Sequence, residues 1–81
     1  MDQVKTGRFI AARRRSLGLT QRELAEKLSV SDKTVSKWEC GNGLPEVSLM
    51  LPLCELLGIN VNELLTGEML DDASYISAYR L

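Results

Sequence analysis

Residues 20–41, TQRELAEKLSVSDKTVSKWECG, constrain this chain more than any other stretch. Thr20 followed three residues later by Glu23 is a capping box, which starts a helix by satisfying two orphan backbone N–H groups. Leu24, Ala25 and Leu28 then recur at helical spacing and predict one buried stripe. Ser31-Asp32 opens another helix, with Val35 and Trp38 three apart on its inner side. So few residues lie between the two helices that they must cross steeply. Val30 plugs the turn. The small Ala25 sits at the crossing, where a bulkier side chain would push the helices apart. The edge opposite Val35 and Trp38 stays polar and faces outward.

The rest of the chain reads as helices too. The first runs from residue 3 or 6 to residue 17, with Val4, Gly7, Ile10, Ala11 and Arg14 on its inner face, and Gly18 stops it. Gly41, Asn42, Gly43, Leu44 and Pro45 are loop chemistry. Ser48 is the expected cap of a fourth helix ending at Gly58. Pro52 then falls near the end of its first turn, where a missing N–H costs little; a start at Glu46 would leave Pro52 interior. Asn60-x-x-Glu63 is a second capping box, opening a fifth helix with Val61, Leu64 and Leu65 turned inward and Gly67 at its end. The expected fold is all-α: a compact bundle of five short helices over residues 1–67. Residues 68–81 read either as a linker or as one more helix, capped by Asp71 or Asp72, with Ala73, Ile76 and Tyr79 or Arg80 along one side.

Composition removes several function classes. Eighty-one residues allow one domain with a modest core. There is no histidine, and Cys40 and Cys54 form neither a disulfide framework nor a metal-ligand set, so no metal and no cofactor is expected. Cys54 reads as core packing, and the chain as a protein of a reducing cytoplasm. The N-terminus lacks the apolar run of a signal peptide. The longest apolar tract, residues 49–57, is broken by Pro52, Cys54 and Glu55 and is too short for a bilayer. Acid–base or nucleophilic catalysis needs a paired constellation that the sequence lacks, so no enzyme is expected.

The net charge of −1 hides an asymmetry. Residues 1–40 hold nine bases against five acids, or +4; residues 41–81 hold one base against six acids, or −5. A basic half facing a polyanion would explain this, although two solvated halves would look the same.

The chain resembles the lambda-repressor-like, Cro/Xre-type helix-turn-helix regulators. The resemblance covers residues 6–68. It rests on Gly18-Leu19-Thr20-Gln21, Leu24-Ala25, Val30-Ser31, Thr34-Val35-Ser36-Lys37-Trp38-Glu39, Gly41, Leu44-Pro45 and Gly58-Ile59-x-Val61-x-Glu63-Leu64-Leu65. One departure is Ser29, where the family most often has glycine at a position favouring φ > 0; Cβ strain there costs about 1 kcal/mol.

The resemblance implies that the third helix enters the major groove of duplex DNA. Asp32, Lys33 and Lys37 match the base-reading positions, with Ser31, Thr34 and Ser36 close by. Lysine donates to guanine O6 and N7, and aspartate accepts from cytosine N4. In isolation these residues would equally suit a solvated helix face. Gln21 matches a phosphate-clamping glutamine, with Thr20 beside it, and Cys40, Asn42 and Gly43 lie where relatives lend backbone N–H groups to the second strand. Arg14 and Glu39 match a buried structural ion pair. Arg13, Arg15, Arg22 and Lys27 are either phosphate neighbours or solvated charge. The implied mechanism is occupancy of a palindromic operator by a homodimer, most simply as a repressor. Leu56, Leu57, Ile59, Val61 and Leu64, and the tail around Tyr75 and Tyr79, are the candidate dimer surface, unless these leucines only complete the core. The rival reading is an antitoxin or adaptor whose acidic half binds a protein partner.

Overall fold

Five helices follow one another: α1 (Gln3–Ser16), α2 (Gln21–Leu28), α3 (Asp32–Glu39), α4 (Val47–Leu57) and α5 (Val61–Thr66). They come from a computed structural model, which describes residues 1–70. Local chemistry sets most of the boundaries. The Asp2 carboxylate accepts the Lys5 N–H and caps α1. Thr20 with Glu23 and Asn60 with Glu63 form the two reciprocal capping boxes on α2 and α5. Ser31 caps α3 through the Thr34 N–H. Ser29 closes α2 in the left-handed region at φ 58°, as the family resemblance implies.

The start of α4 departs from expectation. Its N-cap is Glu46, which makes no side-chain cap bond, and Ser48 lies in the first turn. Pro52 is therefore interior and removes the backbone bond that would run to the Ser48 carbonyl. Both residues are exposed, so the freed carbonyl lies on the watered side of the helix.

Ile10, Leu24, Ala25, Leu28, Val35, Trp38, Leu53, Cys54, Leu57 and Leu64 form one buried cluster. Each large aliphatic among them stabilises the fold by about 1.5–3 kcal/mol. α3 packs against both α1 and α2, α5 closes on α1, and α4 closes on α2. The contact between α1 and α3 is tight because Gly7 has no side chain: a Cβ there would collide with the Trp38 backbone carbonyl oxygen. Leu57 and Leu64, candidates for a dimer surface, are instead fully buried in the core.

The inner face of α1 differs from expectation at its start. Val4 is 47% exposed, whereas Thr6 is buried and donates its hydroxyl to the Leu64 carbonyl at 3.0 Å. The chain leaves the bundle along the same end of α1. The Leu70 N–H donates to Glu63 Oε2 at 2.8 Å, and Lys5 pairs with Glu68 at 3.1 Å. Residues 68–70 are thus tied to the body, while the expected extra helix and the residues around Tyr75 and Tyr79 lie outside the described residues. No helix among the described residues is long and apolar enough to cross a membrane.

Candidate nucleic-acid interface

One edge of α3 is buried and the other is open. Val35 is fully buried and Trp38 nearly so, which fixes the inner edge. Positions 32, 33, 36 and 37 share the opposite side by helical spacing. Asp32, Lys33 and Lys37 are exposed there and Ser36 is half-buried. Neither lysine joins an ion pair among the described residues.

Ser31 and Thr34 sit at the front of the same helix. Ser31 Oγ accepts the Thr34 N–H at 3.2 Å and lies 2.9 Å from Thr34 Oγ1. That mutual bond uses one hydroxyl proton of the pair and leaves the other to donate outward.

The back of α3 is locked by charge. Arg14 Nε donates to Glu39 Oε2 at 2.7 Å and Arg14 Nη2 to Glu39 Oε1 at 2.9 Å, a bidentate pair. The two side chains are 9% and 4% exposed. Arg14 Nη1 also donates to the Leu19 carbonyl at 2.8 Å, so the pair joins α1, the α1–α2 connection and the end of α3. Burial pushes the Glu39 carboxyl up, but hydrogen bonds from Arg14 and Gln21 and the charges of Arg14 and Arg15 outweigh it. They hold the carboxyl below the ordinary carboxylate range. The hydrogen bond to Glu39, opposed by burial and helped by the Glu39 charge, raises the affinity of the Arg14 guanidinium for its proton.

The residues flanking α3 divide by what they already bind. Gln21 is half-buried and donates to Glu39 Oε1 at 3.0 Å. The Thr20 hydroxyl accepts the Glu23 N–H at 3.0 Å, and Glu23, hydrogen-bonded to the Thr20 backbone and hydroxyl, has its carboxyl held low. The backbone N–H groups of Cys40 and Asn42 close the end of α3 on the carbonyls of Ser36 and Lys37, both at 2.9 Å. Exposed at this corner are the side chains of Cys40 and Asn42, with Gly43 half-buried beside them. Arg13, left open by the sequence, donates from Nε and Nη2 to the Leu57 carbonyl at 3.1 and 2.9 Å and so caps the end of α4. Arg15, Arg22 and Lys27 are exposed. The buried Cys54 thiol is pushed up by desolvation and then by Glu63, which suits packing.

A family profile described as helix-turn-helix matches residues 10–64, most of the bundle and the whole elbow of α2 and α3. The chain belongs to the helix-turn-helix family of Cro/Xre-like DNA-binding transcriptional regulators. Among curated relatives, this helix-turn-helix chain is 36% identical over 70 residues to the HTH-type transcriptional activator BcrR of Enterococcus faecalis. That match covers 86% of the chain and 30% of the relative, so the chain spans about a third of that protein's length. The fold is similar to the clp gene regulator ClgR of Corynebacterium glutamicum (TM-score 0.73, 30% identity, 83% of this chain and 71% of that one). It is also similar to the restriction-modification controller protein C.AhdI of Aeromonas hydrophila (TM-score 0.71, 30% identity, 78% and 96%). The family that the chain matches is one of non-catalytic helix-turn-helix transcriptional regulators.

Proposed function

We propose that the chain is the operator-reading domain of a transcriptional repressor that binds a palindromic duplex site as a homodimer. The observation that carries this reading is the split character of α3: Val35 and Trp38 anchor it, and Asp32, Lys33, Ser36 and Lys37 line its outer edge. Lys33 and Lys37 donate to guanine edges, Asp32 accepts from cytosine N4, and the free hydroxyl proton of Ser31 or Thr34 reaches a base or a phosphate. Thr20, Gln21, Asn42 and Gly43, with the exposed side of Cys40, border the backbone. Arg14 and Glu39 are structural.

One such helix reads too few base pairs to find one site in a genome. Two copies related by a two-fold axis set their α3 helices about 34 Å apart, in successive major grooves. Val47 is 83% exposed and Leu51 64%, one turn apart on α4, an apolar strip that a two-fold contact would bury. A dimer over a promoter excludes polymerase. The Enterococcus relative is named an activator, so the position of the operator sets the sign of regulation.

Selection of bound sequences from random duplex DNA tests the proposal. A palindromic winner supports both recognition and two-fold symmetry. A lone half-site overturns the dimer, and failure to enrich any sequence overturns DNA reading. Binding that does not weaken as salt rises would instead favour an adaptor with a protein partner.

A further inference from the structure

The buried ion pair has a third member. Glu39 Oε1 accepts from Gln21 Nε2 at 3.0 Å as well as from Arg14 Nη2 at 2.9 Å. An ionised carboxylate only accepts hydrogen bonds, so it dictates which way the Gln21 amide turns: the nitrogen must face Glu39. That nitrogen carries two hydrogens. One is committed to Glu39, which leaves the other to donate to a second acceptor.

Placement makes this consequential. Gln21 is the first residue of α2 and Glu39 the last of α3. The backbone ladder of α2 begins only with the Leu24 N–H on the Thr20 carbonyl, so the first N–H groups of α2 lie ahead of it. Exposed Arg15 adds positive charge close enough to act on Glu39.

We propose that Glu39 is a positioning residue for DNA binding: it aims the Gln21 amide N–H at a DNA phosphate while its bonds to Arg14 hold α3. One carboxylate therefore sets the base-reading helix and the backbone clamp in a common frame. The inference rests on the reading of α2 and α3 as the DNA face.

Two measurements test it. In the free chain, nitrogen relaxation of the Gln21 side-chain amide should show it ordered, with exposed Gln3 as the mobile comparison. An amide as mobile as that of Gln3 overturns the proposal without any DNA. For binding, Gln21→Ala should weaken affinity about tenfold on operator and scrambled duplex alike, because a phosphate contact carries no sequence. The same change should cost less than about twofold in an Arg14→Met/Glu39→Met background, where nothing aims the amide. That background replaces the buried pair by apolar side chains of similar size, a change that is often tolerated. Equal losses in both backgrounds overturn the proposal. If the Met pair does not fold, the relaxation measurement and Gln21→Ala in the native chain still decide: an ordered amide whose loss leaves affinity unchanged overturns it. A native chain that binds no duplex at all overturns the function proposed above, and this inference with it.

Discussion

Arg13 and Arg14 near the end of α1 and Lys33 and Lys37 on α3 carry the same charge, yet the fold uses them in opposite ways. The arginines turn inward. Arg14 grips Glu39 and the Leu19 carbonyl, and Arg13 holds the Leu57 carbonyl at the end of α4. The lysines stay exposed with no ion-pair partner among the described residues. Side-chain chemistry explains the division. A guanidinium offers a planar fork of donors that satisfies a carboxylate or carbonyl in a buried place. An ammonium on a flexible stem is better left in water until an acceptor arrives. Positive charge near the start of this chain is therefore two populations, one that builds the elbow and one that remains available to a ligand.

That division should break most visibly at its inner side. Arg14→Ala leaves Glu39 buried without its cation and should lower unfolding free energy by about 3–5 kcal/mol in a denaturant titration. Arg14→Met with Glu39→Met should recover most of it; a double variant as unstable as the single one would show that the loss is not electrostatic. The same pair predicts an acid response. The folded Glu39 carboxyl titrates below its unfolded value of about 4.3. The unfolded chain thus takes the proton first. This stabilisation is whole above that pH and drains away as pH falls toward the folded value. A plot of melting temperature against pH should fall more steeply for the native chain than for the Met pair.

Smaller effects sharpen the picture. Gly7→Ala forces α1 away from the Trp38 carbonyl and should cost about 1–3 kcal/mol, read from the denaturation midpoint. Because this same approach brings Arg14 to Glu39, the variant should also loosen the Gln21 amide. Ser29→Gly should act in the other direction, stabilising by up to about 1 kcal/mol, since Ser29 sits at φ 58°. No gain in melting temperature would mean that the serine is unstrained there.

Much of this was legible in the residues, for local reasons. Both capping boxes, the Leu24, Ala25 and Leu28 stripe and the Val35 and Trp38 anchor follow from spacing of a few residues, whereas the left-handed Ser29 follows from the family resemblance. The Arg14–Glu39 pair followed only from family resemblance. Serine is a better cap than glutamate, which favours a start at Ser48, yet the chain takes the alternative start at Glu46 and tolerates an interior Pro52 on the exposed side. Thr6 is absent from the expected inner face, yet it is buried because its hydroxyl reaches the Leu64 carbonyl. Its spacing of four from Ile10 was the available signal. The Arg13 cap on Leu57 joins residues 44 positions apart and left no local trace. Nor did the bond from Gln21 to Glu39, which exists only once two helix ends meet.

We propose that the outer lysines of α3 read bases while the α1 arginines hold the fold. This is tested most directly by measuring Lys37→Ala on two duplexes, the selected operator and a scrambled version, beside its unfolding midpoint. Operator affinity should fall by about 1–3 kcal/mol more than scrambled affinity. Stability should stay within about 0.5 kcal/mol of the native chain. An operator preference that survives intact, or a loss shared equally by both duplexes, would contradict it.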